Sequence, residues 1–218
     1  DKSETLPYLK FYQSIRPTLT SFEEAMQETF AMILISPDFL YLVEPSSETK
    51  RPLNDWEMAS RLSYFLWSTM PDTQLFKLAR EKKLRDPKVL QSEIERMISD
   101  ERSWQFIEQF ADQWLDLGAV QRVAINPNYY PKFDDALKTS MRQESLHFFK
   151  EIFQKDLSAL NFLDSEFTML NEPLAKHYGL TGPRGSSFER VALNPKDHRG
   201  GVLTHGSILL GNSTGEDS

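Results

Sequence analysis

The chain has 218 residues, with 32 Asp and Glu against 25 Lys and Arg, a formal net charge of −7 and no cysteine. The acidic balance argues against the basic footprint of a nucleic-acid binder and against the Lys/Arg cluster that holds a protein on an anionic membrane. The missing cysteine rules out disulfides, thiolate metal sites, cysteine nucleophiles and haem attachment through Cys-x-x-Cys-His within this chain. At about 150 residues per domain, the length fits one large domain or one and part of a second. The 15 Phe, 7 Tyr and 4 Trp are enough to fill a core, which argues against disorder.

No stretch approaches the ~20 apolar residues that span a bilayer. The longest strongly apolar runs, Ala31–Ile35 and Phe39–Val43, are five residues each. The opening Asp-Lys-Ser-Glu carries no signal-peptide apolar region. Both ends read as cut points in a longer protein, so a missing leader says nothing about export. Ser21 predicts a cap for a helix through Ile35, with Glu24 as its capping-box partner. Ser36-Pro37-Asp38 interrupts it, Phe39–Val43 follows as a short apolar segment, and Glu44–Pro52 reads as a polar loop. Asn54 and Glu57 start the next helix, to about Ser68, and Met70-Pro71-Asp72 ends it and opens another through Lys82. Asp86-Pro87 places an N-cap and a proline at the first helical position. The helix it opens has Leu90, Ile94, Met97 and Ile98 on one side and charged residues on the other, a helical period.

A further helix spans about 103–117 and is stopped by Gly118. The longest covers about 134–154, a turn follows at 158–163, and a helix over 171–178 ends at Gly179. Past Gly179 the texture is rich in Gly and Pro. Phe188–Leu193 is the one good strand candidate, with no evident partner, and 202–210 reads as a last short helix. The pattern predicts an all-α fold: an irregular multi-helix bundle with a less regular Gly/Pro-rich C-terminal segment.

The sharpest single feature is Glu144. Leu137, Met141, Phe148 and Ile152 recur at helical spacing, and Glu144 falls inside that apolar stripe. A carboxylate there is at least partly desolvated and needs a partner. His147 follows three residues later, so Glu144-x-x-His147 matches half of a ferritin-like di-iron pattern. The plainer reading is a structural ion pair among Glu57, Arg61 and Glu144. Arg61 lies on a helix apolar over much of its circumference, with Glu57 at the favourable i, i+4 spacing. His177 and Tyr178 sit at a helix C-terminus, where a capping histidine competes with an acid–base role. His205 completes the catalytic candidates Glu144, His177, Tyr178 and His205. Arg199, Gly200 and Gly201 resemble an anion cradle of a cation, flexible glycines and a helix start. The aromatic sets Tyr64/Phe65/Trp67 and Trp104/Phe110/Trp114 read as core. No Gly-x-Ser-x-Gly, His-Glu-x-x-His, P-loop or dinucleotide fingerprint occurs.

Several blocks together resemble one family. They are Ser36-Pro-Asp-Phe-Leu-Tyr41, Leu53-Asn-Asp-Trp-Glu-Met-Ala-Ser-Arg-Leu-Ser-Tyr-Phe-Leu-Trp-Ser68 with Met70-Pro-Asp72, Phe110-Ala-Asp-Gln-Trp-Leu115, Leu170-Asn-Glu-Pro-Leu-Ala-Lys-His-Tyr-Gly179 and Arg199-Gly-Gly-Val-Leu-Thr204. The chain resembles the planctomycete-type domains of unknown function of large exported proteins that also carry a c-type cytochrome module. The resemblance implies two adjacent domains of that set. The layout it suggests is an N-terminal extension at 1–21, a helical domain at 22–155, a connector at 156–164 and the start of a second, truncated domain at 165–218. In the family a Thr-Ser-Pro-Val-x-Arg-Gly-like stretch follows the last helix; this sequence departs at Gly215-Glu-Asp-Ser218.

The same resemblance implies a periplasmic or otherwise exported location and an electron-transfer setting. It implies no cofactor within this chain, with haem c elsewhere in the parent protein. The partners it implies are the parent's other domains, including the cytochrome module, with no nucleic acid and no membrane span. It supplies no catalytic residues. Three functions follow as expectations. The first is a helical module that scaffolds or docks a cytochrome, its acidity suiting a basic face. The second is an oxidoreductase domain passing electrons from a substrate to the cytochrome, drawing on Glu144, His147, Asn171, His177, Tyr178, Arg199 and His205. The third is a metal-binding helical bundle on Glu144 and His147. Whether the chain is catalytic at all is left open at this level.

Overall fold

Short polar side chains set where most of the helices begin. In the computed structural model, which describes residues 2–41 and 50–213, the helices are α1 (Lys2–Ile15), α2 (Phe22–Leu34), α3 (Pro37–Leu40), α4 (Asp55–Trp67), α5 (Thr73–Arg80), α6 (Pro87–Ser99), α7 (Trp104–Leu115), α8 (Ala119–Arg122), α9 (Asp135–Gln154), α10 (Glu172–Tyr178) and α11 (Gly206–Gly211). Asn54 accepts from Trp56 N and Glu57 N while Glu57 Oε2 accepts from Asn54 N, a complete capping box for α4. Asp72, Asp86, Asp134 and Asn171 likewise accept backbone N–H groups in the first turns of α5, α6, α9 and α10.

Contacts divide the chain into two units, Asp1–Pro52 and Leu53–Ser218. The division falls at the end of the expected polar loop. The first unit holds α1 to α3. Residues 2–15, read from sequence as part of an extension, form α1, and Tyr12 meets Phe22 of α2 edge-on at 6.2 Å. Ser21 caps α2 as expected, and the Glu24 carboxylate reaches one residue further back, to Thr20 N and Oγ1. α2 stops at Leu34, before Ser36-Pro37-Asp38 as expected, and Pro37–Leu40 forms a separate helical turn. Residues 42–49, which hold the end of the Phe39–Val43 segment and most of the expected loop, lie outside the described residues, as do residues 214–218.

The second unit is built around α9. One side of α9 packs Leu146 and Phe149 against Ile107 and Ala111 of α7. Another packs Leu137 and Met141 against Leu170 and the α10 residues Leu174 and Ala175, and a third packs Phe148 and Ile152 against Phe167, Met169 and Val202. A separate cluster joins Ala59, Leu66 and Trp67 of α4 to Leu75, Ala79, Leu84 and Met97. The helix after Trp104 ends at Asp116, which takes the left-handed conformation at φ 46°, and not at Gly118, which opens α8. Gly179, at φ 70°, ends α10 as expected.

The fold is predominantly helical but not strictly all-α. Strands β1 (Phe167–Leu170) and β2 (Glu189–Ala192) pair antiparallel, Phe167 opposite Ala192 and Leu170 opposite Glu189. The strand candidate at 188–193 therefore has a partner. All four residues of β1 are buried, so the segment lacks the alternation that marks a half-exposed strand. It lies against α9 on one side, while β2 forms the outer edge. Among the described residues no helix is long and apolar enough to cross a membrane.

Candidate functional site

Glu144 is on the inner face of α9 and 1% exposed. Removing a partner from such a group costs about 3–5 kcal/mol, so it must be hydrogen-bonded. Its partners are hydroxyls. Thr168 of β1 donates to Oε1 at 2.7 Å, and Tyr178, the last residue of α10, donates to Oε2 at 2.6 Å. The Tyr178 hydroxyl also accepts the Gly206 N–H at 2.8 Å. A Cβ on Gly206 would lie 2.5 Å from that hydroxyl and 2.8 Å from Met141 Cγ, so only glycine allows this approach. Burial, and next the Glu144 charge, push the Tyr178 pKa well above its ordinary value, which keeps the phenol a donor. One carboxylate thus ties β1, α10 and the start of α11 to α9.

The expected Glu–Arg pair does not form at Glu144. Arg61 is exposed, and the Glu57 carboxylate serves the cap of α4. The neighbouring residue opens a second buried network. Ser145 Oγ lies 2.9 Å from His205 Nδ1 and 2.7 Å from Ser207 Oγ. His205 packs edge-on against Phe148 at 4.9 Å, and its Nε2 is buried with no hydrogen-bond partner. Burial lowers the His205 pKa, favouring the neutral imidazole. Ser145 and His205 have the residue types of a nucleophile and its base, but both are sealed from solvent. Asn171 caps α10 and donates to Ser140 Oγ at 3.0 Å.

His147 points elsewhere. It stacks on Phe188 at 4.7 Å and lies 5.1 Å from the Trp104 ring, away from the hydroxyls that meet Glu144. Among the described residues no group of three or more His, Asp or Glu side chains is placed to hold a metal ion. The glycines of the expected anion cradle also have another use. Gly200 N donates to Thr204 Oγ1 at 3.0 Å, and Thr204 Oγ1 donates to Gly201 O at 2.9 Å, so the loop occupies its own N–H group. Gly201, at φ 68°, lies so close to Leu163 that a Cβ would be 2.4 Å from its carbonyl oxygen. Arg199 instead lays its guanidinium over the Tyr178 ring, 3.4 Å from the centroid, and donates to Thr204 O at 2.7 Å.

The predicted residues therefore separate into layers. Glu144 and His205 lie in the interior. Tyr178 links that interior to a cleft of about 420 Å³ that His177 and Arg199 also line. Burial, and then the nearby Arg199 charge, hold the His177 pKa below its ordinary value. Thr168, Ser145, Ser207 and Gly206 were missed from sequence, because nothing in their spacing links them to Glu144.

The family described as PSD4, protein of unknown function (DUF1592), matches residues 53–180. The chain belongs to this family. A second family, PSD5, protein of unknown function (DUF1595), matches residues 1–44, so two adjacent domains of unknown function are present. The DUF1592 stretch runs from the residue before the α4 cap to just past α10. It crosses the connector expected at 156–164 and places the partial neighbour before it, whereas the sequence layout put one after it. Glu144, Thr168 and Tyr178 all lie inside the DUF1592 match, while Arg199, His205 and Gly206 follow it. No curated protein and no solved structure matches the chain.

Proposed function

We propose that this DUF1592 chain is a non-catalytic docking module of a larger exported protein, seating that protein's c-type cytochrome domain in a periplasmic electron-transfer setting. The observation that supports the reading is a ridge of rings in which Phe65, Phe110 and Trp114 are exposed and Phe106 and Phe162 half-buried. Phe65 lies 4.9 Å from Phe106, which lies 5.3 Å from Phe110; Phe110 is 6.0 Å from Trp114, and Trp114 meets Phe162 edge-on at 5.1 Å. Sequence patterning assigns Phe65, Phe110 and Trp114 to the core, yet they are 64%, 45% and 50% exposed. Contiguous apolar surface of this kind marks interaction sites, and large aromatics supply most of the affinity at interfaces. The cytochrome is the favoured occupant because a net charge of −7 suits a basic face around an apolar haem edge.

The test is binding of this chain to the cytochrome domain of the same parent protein, followed by surface plasmon resonance. Association should weaken steeply between about 20 and about 300 mM salt, as screening removes charge attraction. Phe65→Ala with Trp114→Ala should weaken it about tenfold with the fold intact by circular dichroism. Absence of binding at low salt, or indifference to both substitutions, would reject the reading. An oxidoreductase domain remains the second reading, supported by the joint position of His177, Tyr178 and Arg199 on one cleft. Substrate-dependent reduction of the same cytochrome domain, lost on Arg199→Met, would favour it over docking.

A further inference from the structure

Arg199 differs from the arginines that the fold uses in ion pairs. Arg85, Arg96, Arg102, Arg142 and Arg190 each pair with a carboxylate. Arg199 has no ion pair among the described residues, yet its guanidinium is fixed. Nη1 donates to Thr204 O, and the group lies flat over Tyr178, whose hydroxyl is itself held by Glu144 and Gly206. Among the described residues its remaining N–H groups have no hydrogen-bond acceptor. The cation lines a cleft of about 420 Å³ whose other walls include Ile125, Phe133 and Leu209. That volume lies within the roughly 300–1,000 Å³ typical of small-molecule sites. Opposite charge and apolar walls within one cavity define the ligand chemistry. A single guanidinium fork matches a carboxylate, and the apolar walls match a ring or branched hydrocarbon. A phosphate is a poorer fit, because among the described residues no second Lys or Arg lines the cleft and Gly200 N–H is already engaged by Thr204. His177 at the same wall has a depressed pKa, so near neutrality its ring offers one donor and one acceptor without a second charge.

We propose that this cleft is a binding site for a small aromatic carboxylate, its carboxylate on Arg199 and its ring against Phe133, Ile125 and Leu209. The proposal goes beyond the docking reading and is independent of it, since neither Phe65 nor Trp114 lines the cleft. Phenylacetate is the probe, titrated into the full chain labelled with nitrogen-15 and followed by backbone amide shifts. Saturable shifts are expected at residues around 177–180, 199 and 206–210. Phenylacetamide, the neutral isostere, should bind at least about tenfold more weakly, because the charge-assisted pair is lost. Arg199→Lys should weaken phenylacetate by about tenfold, since an ammonium cannot make the planar two-point contact. Leu209 is more than half exposed, so Leu209→Trp should fill the cleft from its surface side and abolish the shifts with the fold retained. That variant decides the matter if Arg199→Lys perturbs folding through Thr204. Absence of saturable shifts with phenylacetate would overturn the proposal. So would equal binding of phenylacetamide or inorganic phosphate, or binding to Leu209→Trp at wild-type strength.

Discussion

The Tyr178 hydroxyl makes two buried hydrogen bonds, one to a carboxylate and one from a backbone N–H. Tyr178→Phe leaves both partners short in the interior, so the substitution should lower unfolding stability by about 2–4 kcal/mol in urea titrations. Thr168→Val keeps the shape and removes only one donor to Glu144, and should cost less, about 1–3 kcal/mol by the same measurement. Gly206→Ala drives a methyl group into the Tyr178 hydroxyl and Met141, so overpacking should add about 1–3 kcal/mol of loss, read as a fall in melting temperature. If Tyr178→Phe were nearly neutral, Glu144 would not be the anchor described here. The anomaly at Glu144 was legible, because a carboxylate interrupts an apolar stripe at fixed spacing. Its partners were not, because they lie 24 and 34 residues away and are hydroxyls, which carry no charge signal.

Helix starts were the most legible elements, since a cap acts over two or three residues and its side chain is local. Asn54→Ala removes the side-chain half of the α4 box, leaving Glu57 on the backbone N–H, and should cost about 1 kcal/mol in thermal unfolding. Strand β1 was illegible for the opposite reason: burial on both faces erases its period, and its partner starts 22 residues after Phe167. Between α4 and the end of α6 the structure adds a contact that no local pattern announces. Trp67 is buried, donates to Met97 O at 3.0 Å and carries the Arg102 guanidinium 3.5 Å over its ring. Asp100 holds that guanidinium at 2.7 Å. The Arg102 hydrogen bond lowers the Asp100 pKa from 3.8 to about 2, against the opposing effect of burial. A depressed carboxylate pKa means that the unfolded chain takes up the proton first. The contribution of Asp100 is therefore complete above pH 3.8 and is lost as pH falls toward about 2. The stability difference between wild type and Asp100→Asn should shrink through that window in pH-dependent urea titrations.

Across the whole molecule, His147, His177 and His205 share a direction. Burial is the leading cause in each, lowering all three below the ordinary value of 6.5. Below pH 6.5 the unfolded chain therefore binds more protons than the folded one, and stability rises with pH until the unfolded histidines are neutral. Melting temperature should climb from about pH 5 to about pH 7 and then level, and His205→Gln should flatten the slope. An unchanged melting temperature over that interval would contradict the buried placement of the His205 ring. By itself, the sequence determined the helical class, most of the helix starts and the family blocks. All of these rest on periodicity and capping within a few residues. Tertiary structure decided that Glu144 is met by hydroxyls, that β1 exists, that the glycines after Arg199 serve the loop's own packing, and that four expected core aromatics, Tyr64, Phe65, Phe110 and Trp114, face solvent. Each of these depends on which distant surfaces meet around α9, and burial of that kind leaves no local period to read.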